Sequence, residues 1–164
     1  MKIRHAEEKD VKRMMEIYEY ARDFMAKTGN PNQWGPNKWP PEYLIHEDIM
    51  KGHSYVCEEY GNIIGTFYYE YGKDVEDTYA DITDGKWTSP EAYGVVHRLA
   101  ADGSTKGTGE YCLRWAYEQC GYIRVDTHTD NVVMQNLLKK LGYSKRGIIY
   151  VKQDNYPRYA YDKI

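Results

Sequence analysis

A glycine-rich stretch in the second half of the chain, STKGTG at residues 104–109, has the residue types that bind anions. It stands directly before EYCLRWAYEQC, in which Glu110, Arg114 and Glu118 recur every four positions, as on one face of a helix. The first turn of a helix has N–H groups without partners, and glycines let a phosphate approach them closely. The stretch therefore predicts either a phosphate site or a plain loop that leads into a helix.

Two common nucleotide-binding patterns do not fit these residues. The pattern G-x-x-x-x-G-K-[ST] is absent, and Cys112 stands where the dinucleotide pattern needs its third glycine. One strand–helix–strand unit late in a chain of 164 residues also leaves no room for a doubly wound sheet. The neighbouring segments must therefore decide what the glycines do.

Composition narrows the class of protein. The 164 residues suit one domain, and a net charge of −3 without a basic block argues against a nucleic-acid or membrane binder. The start, MKIRHAEEKD, lacks the apolar segment of a secretory signal. The three cysteines are odd in number and are not spaced like a zinc site, so we expect reduced thiols and a cytoplasmic protein.

The elements around the glycines alternate between strand and helix. VVHRLAA predicts a strand, Gly107–Cys120 a helix, YIRVDTH a strand and DNVVMQNLLKKLG a helix, with strands in GIIYVK and PRYAY. A strand–helix–strand crossover predicts parallel pairing. Asp130 or Asn131 is placed to cap the last helix, and Gly142 suits its exit.

The first half of the chain has a different pattern. KIRHA predicts a strand, Lys9–Lys27 a helix and PEYLIHEDIMKG a second helix, followed by a hairpin that turns near Tyr60–Asn62. The predicted fold is therefore α/β (α+β): a mixed sheet with an antiparallel N-terminal half, a parallel central strand pair and helices on both faces.

This order of elements and motifs resembles the GNAT N-acetyltransferase superfamily over nearly the whole chain. STKGTG stands where that family has [RQ]-x-x-G-x-[GA], and Asn131 through KKLGY matches its second motif. IRHAEEKDVKRMMEIYEYAR is similar to its first strand and helix. The resemblance implies a single GNAT-like domain over residues 1–164, with acetyl-CoA as cosubstrate and no metal.

The resemblance also implies where the coenzyme binds. Strand residues Leu99–Ala101 would hydrogen-bond the pantetheine arm, the loop amides would bind the pyrophosphate, and Asn131 would lie near the pantetheine or the adenosine phosphate. The implied coenzyme-binding residues are Leu99, Ala100, Ala101, Ser104, Thr105, Lys106, Gly107, Thr108, Gly109, Asn131 and Asn136.

Two residues depart from the family pattern. Ser104 replaces the usual Arg or Gln, and Lys106 is placed to supply the missing charge. Leu138 stands where the family often has the tyrosine that protonates the departing thiolate. The primary hypothesis is an acetyl-CoA-dependent N-acetyltransferase that acts on a primary amine of a small molecule or peptide. The alternative is a non-catalytic module that binds and senses acyl-CoA.

Direct transfer needs a base for the ammonium and an acid or dipole for the thiolate. His97 is the first candidate base, since its ordinary pKa is about 6.5 and its strand should border the acetyl group; Glu91 is the alternative, and a plain core histidine is the structural interpretation. For the acid, Tyr143 and Tyr150 are available, and each also suits a packing role.

Three other segments have both a structural and a functional interpretation. Trp34, in the loop 29–39, lines the acceptor pocket or pins the loop to the body. The acidic connector 73–86 attracts a cationic amine or is a solvated loop. Asp126, His128 and Asp130 alternate as in a metal site, but a strand end with helix-capping acids explains them better. The acceptor stays open, and the many tyrosines suit a homodimer.

Overall fold

A computed structural model describes residues 1–164 as one seven-stranded sheet with four α-helices. The strands are β1 (Lys2–His5), β2 (Ser54–Glu59), β3 (Asn62–Gly72), β4 (Tyr93–Ala101), β5 (Ile123–His128), β6 (Ser144–Tyr150) and β7 (Pro157–Lys163). The helices are α1 (Val11–Lys27), α2 (Glu42–Met50), α3 (Thr108–Cys120) and α4 (Val132–Lys140).

The strands lie in the order β1-β2-β3-β4-β5-β7-β6. Only the β4–β5 pair is parallel, and every other pair is antiparallel. The crossover through α3 produces the parallel pair, as the strand–helix–strand pattern predicted. The mixed sheet predicted from the sequence is therefore confirmed.

Helices cover both faces of the sheet. One core cluster joins α3 and α4 to the sheet through residues such as Cys112, Leu113 and Leu138. A separate cluster joins α1 and α2 to the sheet through Met14 and Ile45. None of the four helices is long and apolar enough to cross a bilayer.

Helix α1 begins two residues later than the sequence pattern predicted. Residues Glu8–Asp10 form a 3-10 turn, in which the Asp10 carboxylate accepts the Glu7 N–H at 2.8 Å and pairs with Arg4. The buried stripe of α1 includes Met14, Ile17 and Tyr18, whereas Met15 is only half-buried. This stripe packs α1 against the sheet.

The two parallel strands separate soon after they pair. Pairing between β4 and β5 is limited to Gly94 with Ile123 and Val95 with Arg124. Further along β4, Arg98 has φ +53°, and the register against β3 shifts between Thr66 and Tyr68. This bulge bends the strand, because the extra residue cannot be matched across the pair. The edge of β4 that faces β5 therefore has no strand partner beyond Val95, and we call this opening the β4–β5 gap.

Candidate active site

The glycine-rich loop ends at the N-terminus of α3, where backbone donors are left free. Gly107 is the N-cap residue with φ +87°, a conformation that glycine adopts without strain. The first loop-to-helix bond is donated by Tyr111 N–H to the Gly107 carbonyl. The N–H groups of Thr105, Lys106 and Gly107 have no acceptor within the chain. Together with the first turn of α3, they form a group of donors at the positive end of a helix dipole.

These donors border a cavity of about 460 Å³, which we call the glycine-loop cavity. It brings together most of the residues that the sequence assigned to the coenzyme, namely Leu99, Ala100, Ala101, Thr105, Lys106, Gly107, Thr108, Gly109 and Asn131. The opposite wall comes from α1, through Tyr20 and Phe24, whose side chains are half-exposed. This wall was not predicted, because α1 lies far from the loop in the sequence.

Ser104 and Asn136 do not line this cavity, so the structure does not bring them together with the other predicted coenzyme-binding residues. The Ser104 N–H and Oγ both donate to Asp102 Oδ1, at 2.9 and 2.6 Å, and this holds the residue behind the loop. Asn136 lies on the exposed side of α4 and lines no cavity that we describe. Ser104 therefore hydrogen-bonds within the loop, to Asp102, and Asn136 contributes to neither the cavity nor the loop.

The charge balance at the loop favours an anion. Lys106 is exposed and makes no ion pair. The carboxylate Glu110 lies in the first turn of α3, where it could repel an anion, but Lys140 and Arg114 each contact it at 2.9 Å. These contacts lower the pKa of Glu110, and the two cations balance the negative charge of its carboxylate. Lys106 is therefore left as the free cation at the cavity rim.

Asn131 connects α4 to the loop between α1 and α2. Its Oδ1 accepts the Met134 N–H at 3.0 Å and so caps α4, while its Nδ2 donates to Gln33 Oε1 at 2.8 Å. Gln33 Oε1 also accepts a hydrogen bond from Asn30. Only one side-chain N–H of Asn131 is left for a ligand. Of the two caps that the sequence left open, Asp130 and Asn131, the structure selects Asn131, most of whose polar groups are already used.

A second cavity, of about 490 Å³, lies on the other side of the β4–β5 gap and is here called the histidine cavity. The two cavities share Met25, Leu99, Asn131 and Met134. They therefore meet at the unpaired edge of β4. A ligand that begins at the glycine loop could extend along this edge into the histidine cavity.

His97 lies in the wall of the histidine cavity, between two carboxylates. Its Nε2 is 2.8 Å from Glu76 Oε2, and its Nδ1 is 4.0 Å from Asp126 Oδ2. Asp126 in turn accepts a hydrogen bond from the Tyr79 hydroxyl at 2.7 Å. Burial and the Asp126 charge raise the pKa of Tyr79 well above its ordinary value, which keeps this hydroxyl a donor.

The pairing with Glu76 decides how His97 can act. Burial opposes the charge of Glu76, yet its hydrogen bonds to His97 and Thr78 and the charge of His97 lower its pKa to about 2. Glu76 is therefore ionised at neutral pH, and its carboxylate accepts a hydrogen bond from the Nε2–H group of His97. In the neutral imidazole, the lone pair is then on Nδ1, so Nδ1 is the atom that can accept a proton.

The acidic connector is more than the solvated loop that the sequence favoured. Glu76 contacts His97, and residues Asp77–Asp81 form a 3-10 turn around the fully buried Tyr79. Glu91, the alternative base, is exposed and lines neither cavity. The carboxylate beside His97 is therefore Glu76. The sequence did not reveal this contact, because the two residues are 21 positions apart.

The alternating acids and histidine after Val125 behave as a strand end. Asp126 faces Tyr79, while His128 Nδ1 accepts the Asp130 N–H at 2.9 Å. Burial and the charge of Arg158 lower the pKa of His128. The chain has no cluster of three or more His, Cys, Asp or Glu side chains that could hold a metal ion.

Trp34 both pins its loop to the body of the protein and lines a cavity, the two roles that the sequence left open. It is buried against Tyr18 in an edge-to-face arrangement, with ring centroids 5.8 Å apart, and it also lines the histidine cavity. The same loop contacts the segment between β6 and β7, where Asn37 Nδ2 donates to the Gln153 carbonyl at 2.8 Å. Gln153 lines the cavity, so this hydrogen bond joins two loops beside it.

Tyr143, the candidate acid, lies away from both cavities. Its ring belongs to the core cluster around α3 and α4, and its hydroxyl has no partner within the chain. Burial raises its pKa. Tyr150 is exposed, and Leu138 is fully buried in the apolar core. The placement of Tyr143 argues against the acid role, and neither Tyr150 nor Leu138 replaces it.

Neither a scan against protein-family models nor a search of curated proteins finds a match for the sequence. Solved structures do match. The chain is similar to a GNAT-family acetyltransferase from Streptococcus agalactiae, at 31% identity and a TM-score of 0.88, over 99% of this chain and 94% of that chain. A GNAT-family acetyltransferase from Listeria monocytogenes shares the fold at 17% identity and a TM-score of 0.71, over 99% and 93%. A ribosomal-protein-alanine N-acetyltransferase from Brucella melitensis does so at 14% and 0.65, over 100% and 99%.

Proposed function

We propose that this chain, which belongs to the GNAT family of acetyltransferases, transfers the acetyl group of acetyl-CoA to the primary amine of a small molecule. The observation that supports this proposal is the meeting of the two cavities at the β4–β5 gap. Free backbone donors lie at one end of the combined space, and a histidine with a free ring nitrogen lies at the other. This arrangement suits a long anionic ligand that carries its reactive group inward.

The coenzyme would run from the glycine loop to the gap. Its pyrophosphate would accept hydrogen bonds from the amides of Thr105–Gly109, with Lys106 adding charge. Its pantetheine amides would pair with the free edge of β4, as another strand would. The acetyl thioester would then lie beside Leu99, where the two cavities meet.

His97 would accept the proton that the amine must lose. Its Nδ1 has the free lone pair, and Glu76 would hold the ring and stabilise the imidazolium that forms. Backbone N–H groups on the unpaired edge of β4 are suited to stabilise the oxyanion. Direct transfer needs no covalent enzyme intermediate, because both substrates would be held in contact.

The size of the histidine cavity favours a small acceptor over a protein. At about 490 Å³, it has the volume of ordinary small-molecule sites. Its wall carries both signs of charge, including Lys51 and Arg98, so an ammonium group would lie on the side of Glu76 and Asp126.

Thiol release from acetyl-CoA, measured against a panel of small amines and short peptides, tests the proposal. We expect turnover with at least one small amine. His97→Ala should lower kcat by about 100-fold or more, with little change in the Kd of CoA, because general-base catalysis contributes about 10²–10⁴. His46→Ala is the matched control, since His46 is an exposed histidine of α2 that lines neither cavity.

The alternative of an acyl-CoA sensor predicts a different result. Tight CoA binding without turnover on any amine would favour the sensor. No calorimetric heat with CoA would contradict both functions. Full activity in His97→Ala would remove His97 as the base while leaving the transferase proposal in place.

A further inference from the structure

One buried hydroxyl in the histidine cavity has no hydrogen-bond partner in the fold. Thr127 on β5 is 1% exposed, lines the cavity, and its Oγ1 has no hydrogen-bond partner within the chain. Buried polar groups are nearly always paired, because an unpaired one loses its hydration without compensation. Another buried threonine, Thr66, follows the rule and donates to the Tyr55 carbonyl at 2.9 Å. Thr127 therefore has a donor that no residue of the chain uses.

The position of Thr127 relates this donor to the proposed reaction. It lies on the β5 side of the β4–β5 gap, past the point where β5 stops pairing with β4, whereas His97 lies on β4. It shares the cavity wall with Leu99, Asn131 and Met134, the residues at which the two cavities meet. A thioester at this junction would have His97 on one side and the Thr127 hydroxyl on the other.

We propose that the Thr127 hydroxyl is a catalytic donor, which hydrogen-bonds the coenzyme sulfur as the carbon–sulfur bond breaks. The inference rests on the proposed function, because it needs acetyl-CoA at the junction. It provides the stabilisation of the thiolate that Leu138 cannot give from the apolar core and that Tyr143 cannot give from outside the cavities. A group on the wall opposite the base suits the leaving group, which departs on the side away from the attacking amine.

The step balances without another reactant. The amine nitrogen forms a bond to the carbonyl carbon, and the carbon–sulfur bond breaks with its electron pair on sulfur. The ammonium nitrogen loses one proton before it attacks and a second as the tetrahedral intermediate becomes the amide, and each proton passes through Nδ1 of His97 to solvent. Thr127 keeps its own proton and only shares it with the thiolate, which is protonated by water after release. A hydrogen bond to an ionised acceptor is about twice as strong as a neutral one, so it is strongest after the bond has broken.

Binding of CoA and of desulfo-CoA, in which hydrogen replaces the thiol, tests the contact without turnover. At a pH at which the bound thiol ionises, we expect the wild-type protein to bind CoA about tenfold more tightly than desulfo-CoA. This ratio of the two dissociation constants corresponds to one charge-assisted hydrogen bond. Thr127→Val keeps the shape of the side chain and should reduce this ratio several-fold, whereas Thr127→Ser should retain it. Calorimetry gives both dissociation constants.

Stability supplies a readout that a structural hydroxyl would not give. Thr127→Val should raise Tm, because it removes an unpaired buried hydroxyl, and it should lower kcat about tenfold with an unchanged KM for acetyl-CoA. The matched control Thr66→Val removes a paired buried hydroxyl and should lower Tm. Thr127→Ser should keep kcat within about threefold of the wild-type value.

The outcomes separate the two proposals. If neither CoA nor desulfo-CoA binds, the proposed function fails. If both bind and the affinity ratio is the same in Thr127→Val as in the wild type, the role of Thr127 is overturned while the function stands. A lower Tm in Thr127→Val, together with unchanged kcat, would likewise show that the hydroxyl is structural.

Discussion

The two cavities on either side of the β4–β5 gap are built in different ways. The glycine-loop cavity is formed by one continuous segment, Leu99–Gly109, together with α1 and the start of α4. The histidine cavity takes its walls from all four helices, from β4, β5 and β7, and from three connecting segments. The first cavity offers free backbone N–H groups at the glycine loop, whereas the second offers side chains such as Glu76 and His97. A backbone site tolerates changes in side chains, whereas a site assembled from distant side chains depends on each of them.

This contrast explains why the two cavities suit different tasks. The amides of Thr105–Gly109 present donors whatever the side chains are, so they suit a constant group such as a diphosphate. Glu76, His97 and Trp34 come from three separate segments, so together they suit the recognition of one particular reaction partner. Substitutions on the two sides should therefore differ both in size and in the quantity that they alter.

After His97→Ala, the largest effect should follow Glu76→Gln in the histidine cavity. Loss of the carboxylate removes the group that orients His97, so we expect kcat to fall about 10- to 100-fold with little change in the Kd of CoA. Glu91→Gln is the control, because Glu91 is an exposed carboxylate that lines neither cavity. An equal fall in kcat in both variants would show that Glu76 matters no more for turnover than an exposed carboxylate.

Glu76→Gln should also change how the stability of the protein depends on pH. The pKa of Glu76 is lowered from 4.5 to about 2, so its ionised form favours the folded state. The stability that it adds is fully present above about pH 4.5 and is lost as pH falls towards 2. Urea unfolding should therefore show wild type more stable than Glu76→Gln at pH 6, with the difference shrinking below pH 4.5.

An intermediate effect should follow Gly107→Ala in the glycine-loop cavity. Gly107 and Gly121 begin and end α3 with φ of +87° and +75°, and a Cβ would meet no atom within 4 Å at either position. Alanine at each should cost about 1 kcal/mol of stability, because the backbone is left-handed. Only Gly107→Ala should also weaken CoA binding, by about tenfold, as measured by calorimetry. Equal CoA affinity in the two variants would contradict the loop as the diphosphate site.

The smallest effect should come from Gln33→Ala, which acts on both cavities. Gln33 Oε1 accepts hydrogen bonds from Asn30 and Asn131, and it lines the histidine cavity, whereas Asn131 borders both. We expect the KM of the amine to rise about threefold to fivefold and the Kd of CoA to rise about twofold, since one uncharged hydrogen bond contributes about 1 kcal/mol. Gln119→Ala, on the exposed side of α3, should change neither constant.

The same contrast decides how far the sequence could predict the site. Segment Leu99–Gly109 is continuous, so its residue pattern predicted the strand, the loop and the helix start, and the structure brings nearly all of its residues to one cavity. Asn131 was also readable, because helix caps are local features. Glu76 was not, since it reaches His97 only after β3 and the connector fold back onto β4.

The failures have the same physical origin. Glu91 was the alternative base because it is near His97 in sequence, yet it lies before β4 and is exposed. Tyr143 is the last residue of the second motif, but a local motif does not reveal that its ring belongs to the core cluster around α3 and α4. Asn136 and Ser104 belong to predicted segments and point out of the cavity. Thr127 had no signal at all, because strand alternation identifies a buried position and not whether its hydroxyl is paired.

The short pairing of β4 with β5 also bears on how the protein survives in a cell. An open strand edge in the middle of a sheet is a template for pairing with another chain, and such edges promote aggregation. A ligand that occupies that edge would complete the ladder and protect the chain by mass action. On the proposed function, the abundance of this protein should follow the supply of its coenzyme, so that starvation for the acyl donor would remove the enzyme along with its substrate.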